Sequence, residues 1–268
     1  MFVELRELLC SGAICRNHFK YAPIWGINKK KKIWTDCSNR KACGRKIREE
    51  QQKMKIVPAS IEIISTEPYE EMLKRVERAG RVCYKSEGSI EDGSAERFIR
   101  NILKRGHESV IEHAGITVKV TCDRGVTHEI VRHRLASYSQ ESTRYCNYSK
   151  DKFENQISCI DIANGFSYDL NKEEDRQKYL LWQEAMESAE KYYFKMLELG
   201  ARAEEARSIL PNSLKTEIVM TMDLREWRHF IRLRGSKAAH PQIREITRMI
   251  LKEFQERYPL FFEDLTAE

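Results

Sequence analysis

The sequence contains no apolar run long enough to cross a membrane. Of its 268 residues, 33% are charged, and no stretch approaches the roughly 18 consecutive apolar residues that a spanning helix requires. The opening residues, MFVELRELLCSGAIC, lack the basic start, long apolar centre and small-residue cleavage site of a secretory signal. We therefore expect a cytoplasmic protein with no membrane partner, built from one large domain or two small ones.

Two common nucleotide-binding motifs and the zinc-protease motif are also absent. Neither G-x-G-x-x-G nor G-x-x-x-x-G-K-[ST] occurs, so a bound dinucleotide would be held without a Rossmann or P-loop turn. His128-Glu129 is followed by His133 rather than by a histidine one helical turn away. On a helix that spacing turns the two histidines about 140° apart, so they do not form the H-E-x-x-H pair.

The eight cysteines fit neither a zinc ribbon nor an evident catalytic thiol. The spacings from Cys10 to Cys15 and from Cys37 to Cys43 do not match C-x2-C. No base stands beside Cys146 in the sequence to activate it. We expect no metal and predict free thiols in a reducing compartment.

Residues 1–53 differ in character from the rest of the chain. They hold half of the cysteines and the basic block Lys29–Lys32, with little sustained periodicity. Met54 then opens MKIVPASIEIIS, which is typical of a domain start. We predict that residues 1–53 are a poorly ordered extension or an over-long gene assignment, and that residues 54–268 form the functional domain.

Patterning predicts alternating strands and helices after Met54. β-branched residues and period-two alternation indicate strands over Ser60–Ser65, Ile116–Cys122, Ile157–Ile160 and Lys215–Met222. Apolar residues at steps of three and four predict helices over Tyr69–Tyr84, ending near Gly80, and over Ala95–Arg105, Lys172–Leu199, Ala201–Leu210 and His240–Tyr258. Residues 88–93 and 107–113 are predicted loops.

The stretch Thr127–Tyr145, THEIVRHRLASYSQESTRY, indicates an anion site. It combines arginines with hydroxyl and amide side chains, and only Glu129 and Glu141 are acidic. Guanidinium groups bind phosphate oxygens through paired, charge-assisted hydrogen bonds, which short hydroxyls complement. A helix over residues 124–134 would deliver the Arg-His-Arg segment, followed by a serine-rich loop. The alternative is a solvated basic helix end.

A second arginine cluster follows the last predicted strand. Arg225, Arg228 and Arg232 share one helix face at steps of three and four, with Arg234 just past the helix. Trp227, Phe230, Ile231 and Leu233 occupy the same segment, so we expect an anion on one side and the core on the other. The segment His107–His113 offers two histidines and two glutamates, which leaves a metal site as an alternative.

These segments resemble the flavin-dependent thymidylate synthases. The similarity covers roughly residues 54–262 and rests on Arg-His-Arg at 132–134 with Ser142 to Tyr145, GHESVIEHAGITVKV at 106–120, ARSILPNSLKTEIVMTMDLREWRHFIRLR at 206–234 and AAHPQIREI at 238–246. The resemblance implies an α+β fold, with an antiparallel sheet packed with several helices in a single domain that assembles as a homotetramer.

The resemblance also implies an activity, that of an NADPH-dependent methyltransferase. It is the reductive methylation of dUMP to dTMP, with 5,10-methylenetetrahydrofolate as carbon donor and with FAD, reduced by NADPH, as hydride source. The pyrimidine would be activated by a fixed guanidinium, since no cysteine nucleophile is evident.

Residue roles follow by matching positions. Arg234 matches the activating, catalytic arginine. Flavin contacts match His107, Ser109, Arg132, His133, Arg134, Gln140, Asp223, Leu224, Arg225 and His229. dUMP contacts match Glu129, Ile130, Val131, Arg132, Gln140, Glu141, Ser142, Thr143, Arg144, Arg207 and Arg234.

Two departures and two rival functions accompany this interpretation. Many relatives carry Asn-Glu at the positions of Ser139-Gln140, and Asn at that of Asp223, so ligand orientation at 140 and 223 can differ.

A nucleic-acid-binding protein would also use the net charge of +6, but it usually shows a recognised module or surface aromatics among its basic residues. A metal-dependent phosphohydrolase would use His107, Glu112 and His113.

Overall fold

The computed structural model describes residues 54–150 and 153–268, which form an α+β fold. The predicted extension, residues 1–53, lies outside the described residues. The strands are β1 (Lys55–Val57), β2 (Ser60–Ile63), β3 (Gly115–Asp123), β4 (Ala136–Gln140), β5 (Ser158–Ile160) and β6 (Lys215–Asp223). The helices are α1 (Tyr69–Tyr84), α2 (Ser94–Lys104), α3 (Arg124–Ile130), α4 (Ala163–Phe166), α5 (Glu173–Glu198), α6 (Ala203–Ala206), α7 (Leu224–Arg234), α8 (Pro241–Arg257) and α9 (Pro259–Phe262).

The main sheet is antiparallel and has the strand order β2-β3-β6-β4. Its central pair, β3 with β6, runs in register from Gly115 opposite Asp223 to Asp123 opposite Lys215. β4 pairs with the other edge of β6, beginning with Ala136 opposite Met222. A separate two-stranded parallel sheet joins β1 to β5. The predicted α+β fold with an antiparallel sheet is confirmed.

One face of the main sheet is buried beneath helices. Ile116, Val118 and Val120 of β3 are fully buried, and their neighbours are less so, as the period-two alternation predicts. Trp227 of α7 packs edge-on against Phe254 of α8 with ring centroids 5.0 Å apart. Burying a large apolar side chain contributes about 1.5–3 kcal/mol, so this contact stabilises the packing of α7 on α8.

Two aspartates connect the central strands to the helices of the site. Asp123 ends β3 and accepts a hydrogen bond from the Val126 N–H at 2.7 Å, which begins α3. Asp223 ends β6 and accepts from the Glu226 N–H at 2.8 Å, which begins α7. Because β4 begins opposite Met222, the segment between α3 and β4 returns to the end of the sheet where α7 starts.

Several predicted boundaries are wrong. The serine-rich stretch after Arg-His-Arg is strand β4 rather than a loop, and α3 ends at Ile130, before that motif. Residues 107–113 contain a 3-10 helix, Glu108–His113, and a shorter one, Glu87–Ser89, precedes the turn at Gly93. The helix predicted over 201–210 divides into α6 and the 3-10 segment Arg207–Ile209. Arg234 is the last residue of α7 rather than a residue beyond it.

Gly80 lies inside α1 and does not end it. A Cβ built on Gly80 would lie 2.5 Å from Cε1 of Phe98 and 2.8 Å from Cγ1 of Val110. The glycine therefore serves close packing of α1 against α2, and the helix continues to Tyr84. Among residues 54–150 and 153–268, no helix is both long and apolar enough to cross a membrane.

Candidate active site

The Arg-His-Arg segment forms a turn between α3 and β4. The His133 N–H donates to the Ile130 carbonyl at 3.1 Å. The Tyr138 hydroxyl lies 2.9 Å from the Ile130 carbonyl and 2.7 Å from that of His133, and so ties the turn to β4. The turn exposes Arg132 and Arg134, while His133 is only 4% exposed. The middle residue points inward and the two guanidinium groups face outward.

Arg234 at the end of α7 is held by two residues from the α3 side. Its Nε donates to Nε2 of His133 at 3.1 Å. Its Nη1 donates to Oε2 of Glu129 at 2.8 Å, and its Nη2 donates to the Glu129 carbonyl at 3.0 Å. A guanidinium has five N–H donors, so these contacts fix its plane and leave two donors for a ligand.

The other ring nitrogen of His133 faces a buried carboxylate. Nδ1 of His133 lies 2.9 Å from Oε1 of Glu226, which is 8% exposed. Because Arg234 can only donate, Nε2 must accept, and the neutral ring then carries its proton on Nδ1. Burial lowers the pKa of His133; Arg234 and His229 also lower it, and Glu226 opposes them.

A metal ion fits this cluster poorly. One ligand atom each from His133, Glu226 and His229 lie within 4.8 Å of one another, which is compatible with a metal site. However, both ring nitrogens of His133 already have partners, and one of these partners is a guanidinium. A cation there would be repelled by Arg234, so the arrangement suits a fixed set of hydrogen bonds.

The loop after β4 carries the predicted nucleotide contacts. The carboxylate of Glu141 accepts from the Tyr148 hydroxyl at 3.1 Å and from Lys215 Nζ at 3.4 Å. The Ser142 carbonyl accepts from the Cys146 N–H at 2.9 Å, which closes a tight turn. Thr143 within this turn is buried. The turn therefore has a defined backbone at the predicted binding residues.

Arg144 and Arg207 are two exposed arginines among the predicted nucleotide contacts. Nε of Arg144 donates to Oε2 of Glu204 at 3.2 Å, but its side chain is 59% exposed. Such exposed ion pairs contribute only about 0–1 kcal/mol, so Arg144 can exchange this partner for a phosphate at little cost. Arg207 is exposed and has no ion-pair partner within the described part of the chain.

The arginines on this face of α7 already have acidic partners within the protein, so an external anion would compete with these partners. Arg225 Nη1 donates to Glu112 at 2.5 Å, and Arg232 Nη2 donates to Glu108 at 3.3 Å. Arg228 is 3% exposed and donates to both oxygens of Asp264, at 2.7 and 2.6 Å. These pairs also engage both glutamates of the segment considered for metal binding.

The remaining predicted flavin contacts differ in accessibility. His107 and Ser109 are exposed, and Nδ1 of His107 lies 2.8 Å from the Tyr84 hydroxyl. The Leu224 side chain is fully buried, so a ligand could meet only its backbone. Asp223 borders a shallow depression of about 350 Å³ that Gly115, Ala136, Ser137 and Thr221 also line.

Neither Gln140 nor any described cysteine forms a hydrogen bond with Arg234. Nε2 of Gln140 donates to the Thr127 hydroxyl at 3.0 Å. Cys122 and Cys159 are buried, and burial raises the pKa of both thiols, that of Cys159 to about 12. Cys146 packs against a small apolar cluster beside Tyr148 and Tyr193. None of the described cysteines contacts Arg234.

Glu226 is a site residue that sequence reasoning missed. Its partner His133 lies 93 residues away in the chain, and no local pattern distinguishes it from the other acids beside the α7 arginines. Conversely, no hydrogen bond or ion pair between described residues links Arg234 to Arg144, Arg207 or His107.

Comparisons with known proteins show the family to which the chain belongs. Residues 63–260 match the family model described as Thymidylate synthase complementing protein, Thy1. A protein of Pyrococcus abyssi named flavin-dependent thymidylate synthase is 35% identical over 195 residues, which is 70% of this chain and 76% of that protein. A protein of Geobacter sulfurreducens with the same name is 33% identical over 193 residues, covering 69% and 78%.

A third relative with that name, from Pyrococcus furiosus, is 36% identical over 169 residues. The match covers 63% of this chain and spans 66% of the length of that relative. The family model covers most of the chain, and the segments it matches include the Arg-His-Arg turn, β6 and α7. The chain therefore belongs to the Thy1 family, the family of the flavin-dependent thymidylate synthases.

Proposed function

We propose that this protein converts dUMP to dTMP by reductive methylation. 5,10-Methylenetetrahydrofolate is the carbon donor, and FAD reduced by NADPH is the hydride source. The relatives named above carry the name of this activity. The chain acts as a methyltransferase whose pyrimidine substrate is activated by charge rather than by a thiol.

Arg234 is the observation that carries this proposal. Two of its five N–H donors remain after Glu129 and His133 are satisfied, and its side chain is only 12% exposed. Donors fixed in a partly desolvated site stabilise negative charge that develops on a uracil ring, near N3 and O4. C5 of the pyrimidine then becomes nucleophilic without a covalent bond to the enzyme.

The phosphate of dUMP binds at the turn after β4. Arg144 and Arg207 supply positive charge, and Ser142, Thr143 and the backbone of Gln140 and Glu141 complete the contacts. The exposure of both arginines supports this role. On the α3 side, Glu129, Ile130, Val131 and Arg132 line the nucleotide; because the Ile130 side chain is fully buried, its contact goes through the backbone.

The residues present also fit FAD. Arg132 and Arg134 are exposed guanidinium groups with no ion-pair partner among the described residues, which suits a pyrophosphate. His107, Ser109, Arg225 and His229 offer exposed polar groups, and His133, Gln140, Asp223 and Leu224 complete the set of proposed contacts. When bound, the flavin supplies the hydride chemistry that no protein side chain provides.

A homotetramer completes the site. The resemblance to the flavin-dependent thymidylate synthases implies this assembly, with sites that combine residues of different subunits. In such an assembly, a second copy would place its Arg144 near Arg234 of the first. The predicted consequence is that a monomer binds ligands weakly and does not turn over.

The direct test is an absorbance spectrum of the purified protein from roughly 300 to about 550 nm. It is recorded under anaerobic NADPH, with and without dUMP. We expect flavin bands that bleach faster in the presence of dUMP, and dTMP after methylenetetrahydrofolate is added. A colourless protein that neither takes up FAD nor oxidises NADPH would overturn the proposal.

A further inference from the structure

We propose that Glu226 is a positioning residue for this reaction, acting on Arg234 through His133. Glu226 holds the proton of His133 on Nδ1, and the free Nε2 lone pair then fixes the guanidinium of Arg234. This inference rests on the proposed function, because it concerns the orientation of the activating arginine.

Four residues of α7 surround the His133 ring, which comes from the turn between α3 and β4. Glu226 lies in the first turn of α7 and Arg234 is its last residue, so the imidazole spans the helix side between them. The ring packs against Phe230 with centroids 4.8 Å apart and lies 5.5 Å from the ring of His229. A ring held between these neighbours has little freedom to turn away from either partner.

The direction of each hydrogen bond follows from which of the groups can donate a proton and which can accept one. A guanidinium has no acceptor, so the Arg234 contact at 3.1 Å requires a lone pair on Nε2. A carboxylate has no proton to give, so the Glu226 contact at 2.9 Å requires a proton on Nδ1. Both requirements are met by one neutral tautomer of His133. In the other tautomer, two N–H groups would face each other at Arg234.

The charges around His133 favour the same state. Arg234 and His229 face the ring from α7 and disfavour a second proton, whereas Glu226 favours one. Glu129 faces Arg234 from α3 and balances its charge. Burial lowers the pKa of His133, so the neutral ring predominates near neutral pH. Glu226 therefore selects the tautomer without charging the ring.

The test compares Glu226→Gln with Glu226→Asp and with Glu77→Gln. Glu77 is a carboxylate of similar burial, 2% exposed, but it contacts Ser94 and Arg81 instead of the site. An amide at 226 can donate to Nδ1 and so stabilise the wrong tautomer, whereas aspartate keeps the acceptor. FAD content, kcat, KM for dUMP and the ¹⁵N chemical shifts of His133 are measured for each folded variant.

We expect Glu226→Gln to bind FAD but to lose between about tenfold and 100-fold in kcat, because small misplacements of a catalytic group have effects of this size. KM for dUMP should change less, and the His133 shifts should move toward the Nε2-protonated form. Glu226→Asp should recover part of kcat, and Glu77→Gln should keep it. If Glu226→Gln does not fold, kcat and the ¹⁵N chemical shifts of His133 are compared between Glu226→Asp and the wild type. This comparison then tests whether Glu226 positions Arg234.

Two results would overturn the inference. One is a Glu226→Gln enzyme with wild-type kcat. The other is a wild-type His133 whose shifts show the proton on Nε2. A wild-type protein that forms no dTMP would instead refute the proposed function and, with it, any role of Glu226 in that reaction. The two failures are distinguished by the wild-type assay.

Discussion

Glu129 holds Arg234 twice, once through its side chain and once through its backbone. The carboxylate accepts from Nη1 at 2.8 Å and the carbonyl accepts from Nη2 at 3.0 Å. Two contacts through different nitrogens restrain the plane of the guanidinium, whereas one would leave the group free to rotate. The guanidinium therefore has a defined orientation before any ligand binds, which suits a group that stabilises charge in a transition state.

The first prediction concerns Arg234 itself. We expect Arg234→Ala to retain bound flavin and to lose dTMP formation, because the fixed positive charge is removed. Arg234→Lys should also be severely impaired, since an ammonium lacks the planar guanidinium that bonds the carboxylate and carbonyl oxygens of Glu129 and Nε2 of His133. Flavin absorbance and product formation are measured together, with exposed Arg232→Lys as the control. Normal turnover in Arg234→Ala would contradict the assigned role.

The second prediction concerns the pH dependence of stability. Burial lowers the folded-state pKa of His133 from its ordinary 6.5, so the unfolded chain takes up this proton first. The contribution of neutral His133 to the free energy of unfolding is complete above about pH 6.5. As the pH falls toward and through the folded-state pKa, this contribution is lost, by up to about 1.4 kcal/mol per pH unit.

Urea unfolding at pH 7.5 and pH 5.5 should therefore show a larger loss in the wild type than in His133→Gln. The comparison uses the difference between the two pH values, so a constant effect of the substitution cancels. Equal losses in both proteins would show that His133 is not held neutral by the fold.

The third prediction concerns the packing of α1 on α2. In Gly80→Ala the added methyl would meet the ring of Phe98, which costs about 1–3 kcal/mol. The gain in helix propensity, about 1 kcal/mol, offsets part of this cost, so we expect a net destabilisation of up to about 2 kcal/mol. Gly88→Ala is the matched control, since no atom lies within 4 Å of its Cβ position. A Gly80→Ala variant as stable as the wild type would contradict the packing explanation.

The fourth prediction concerns Arg228, the buried arginine of α7. Arg228 makes two hydrogen bonds to Asp264 and contacts the Phe261 carbonyl. We expect Arg228→Lys to reduce the free energy of unfolding by roughly 2 kcal/mol, because the paired geometry is lost. Arg232→Lys should have a much smaller effect, since that side chain is 48% exposed. Equal denaturation midpoints for the two variants would argue against the pairing as a source of stability.

The Arg228–Asp264 ion pair stabilises the fold over a defined pH range. Hydrogen bonding to Arg228 lowers the pKa of Asp264 below its ordinary 3.8. The contribution of ionised Asp264 to the free energy of unfolding is therefore present above about pH 3.8. It is lost as the pH falls through the folded-state pKa of Asp264. In Arg228→Lys this acid-dependent component should shrink, which denaturation curves at pH 4.5 and pH 3 would detect.

The fifth prediction concerns the thiols. Iodoacetamide should modify exposed Cys83 in the native protein, while buried Cys122 and Cys159 should react only after unfolding. Peptide mass spectrometry identifies the labelled residues. Cys146→Ala should retain dTMP formation, because the proposed reaction uses no thiol nucleophile. A folded Cys146→Ala protein without activity would contradict this mechanism.

The parts of the fold that could be predicted from the sequence are those with a recognisable residue pattern within a single strand or helix. β3 was predicted because its buried and exposed residues alternate, and α8 because its apolar residues recur at three and four. β4 was missed, since its less exposed positions hold Ala136, Tyr138 and Gln140, only one of which is large and apolar. Its strand geometry depends on pairing with β6, which no local pattern reveals.

The sequence by itself determined the family, through the Arg-His-Arg segment and its companions, and it determined the alternation of strands and helices. Only the tertiary structure decided which arginines are neutralised. Arg228 and Arg234 lie six residues apart on α7, yet one joins Asp264 and the other joins Glu129 and His133. These partners are distant in the chain, and only the packing of α3, α7 and the C-terminal segment brings their charges within hydrogen-bond distance.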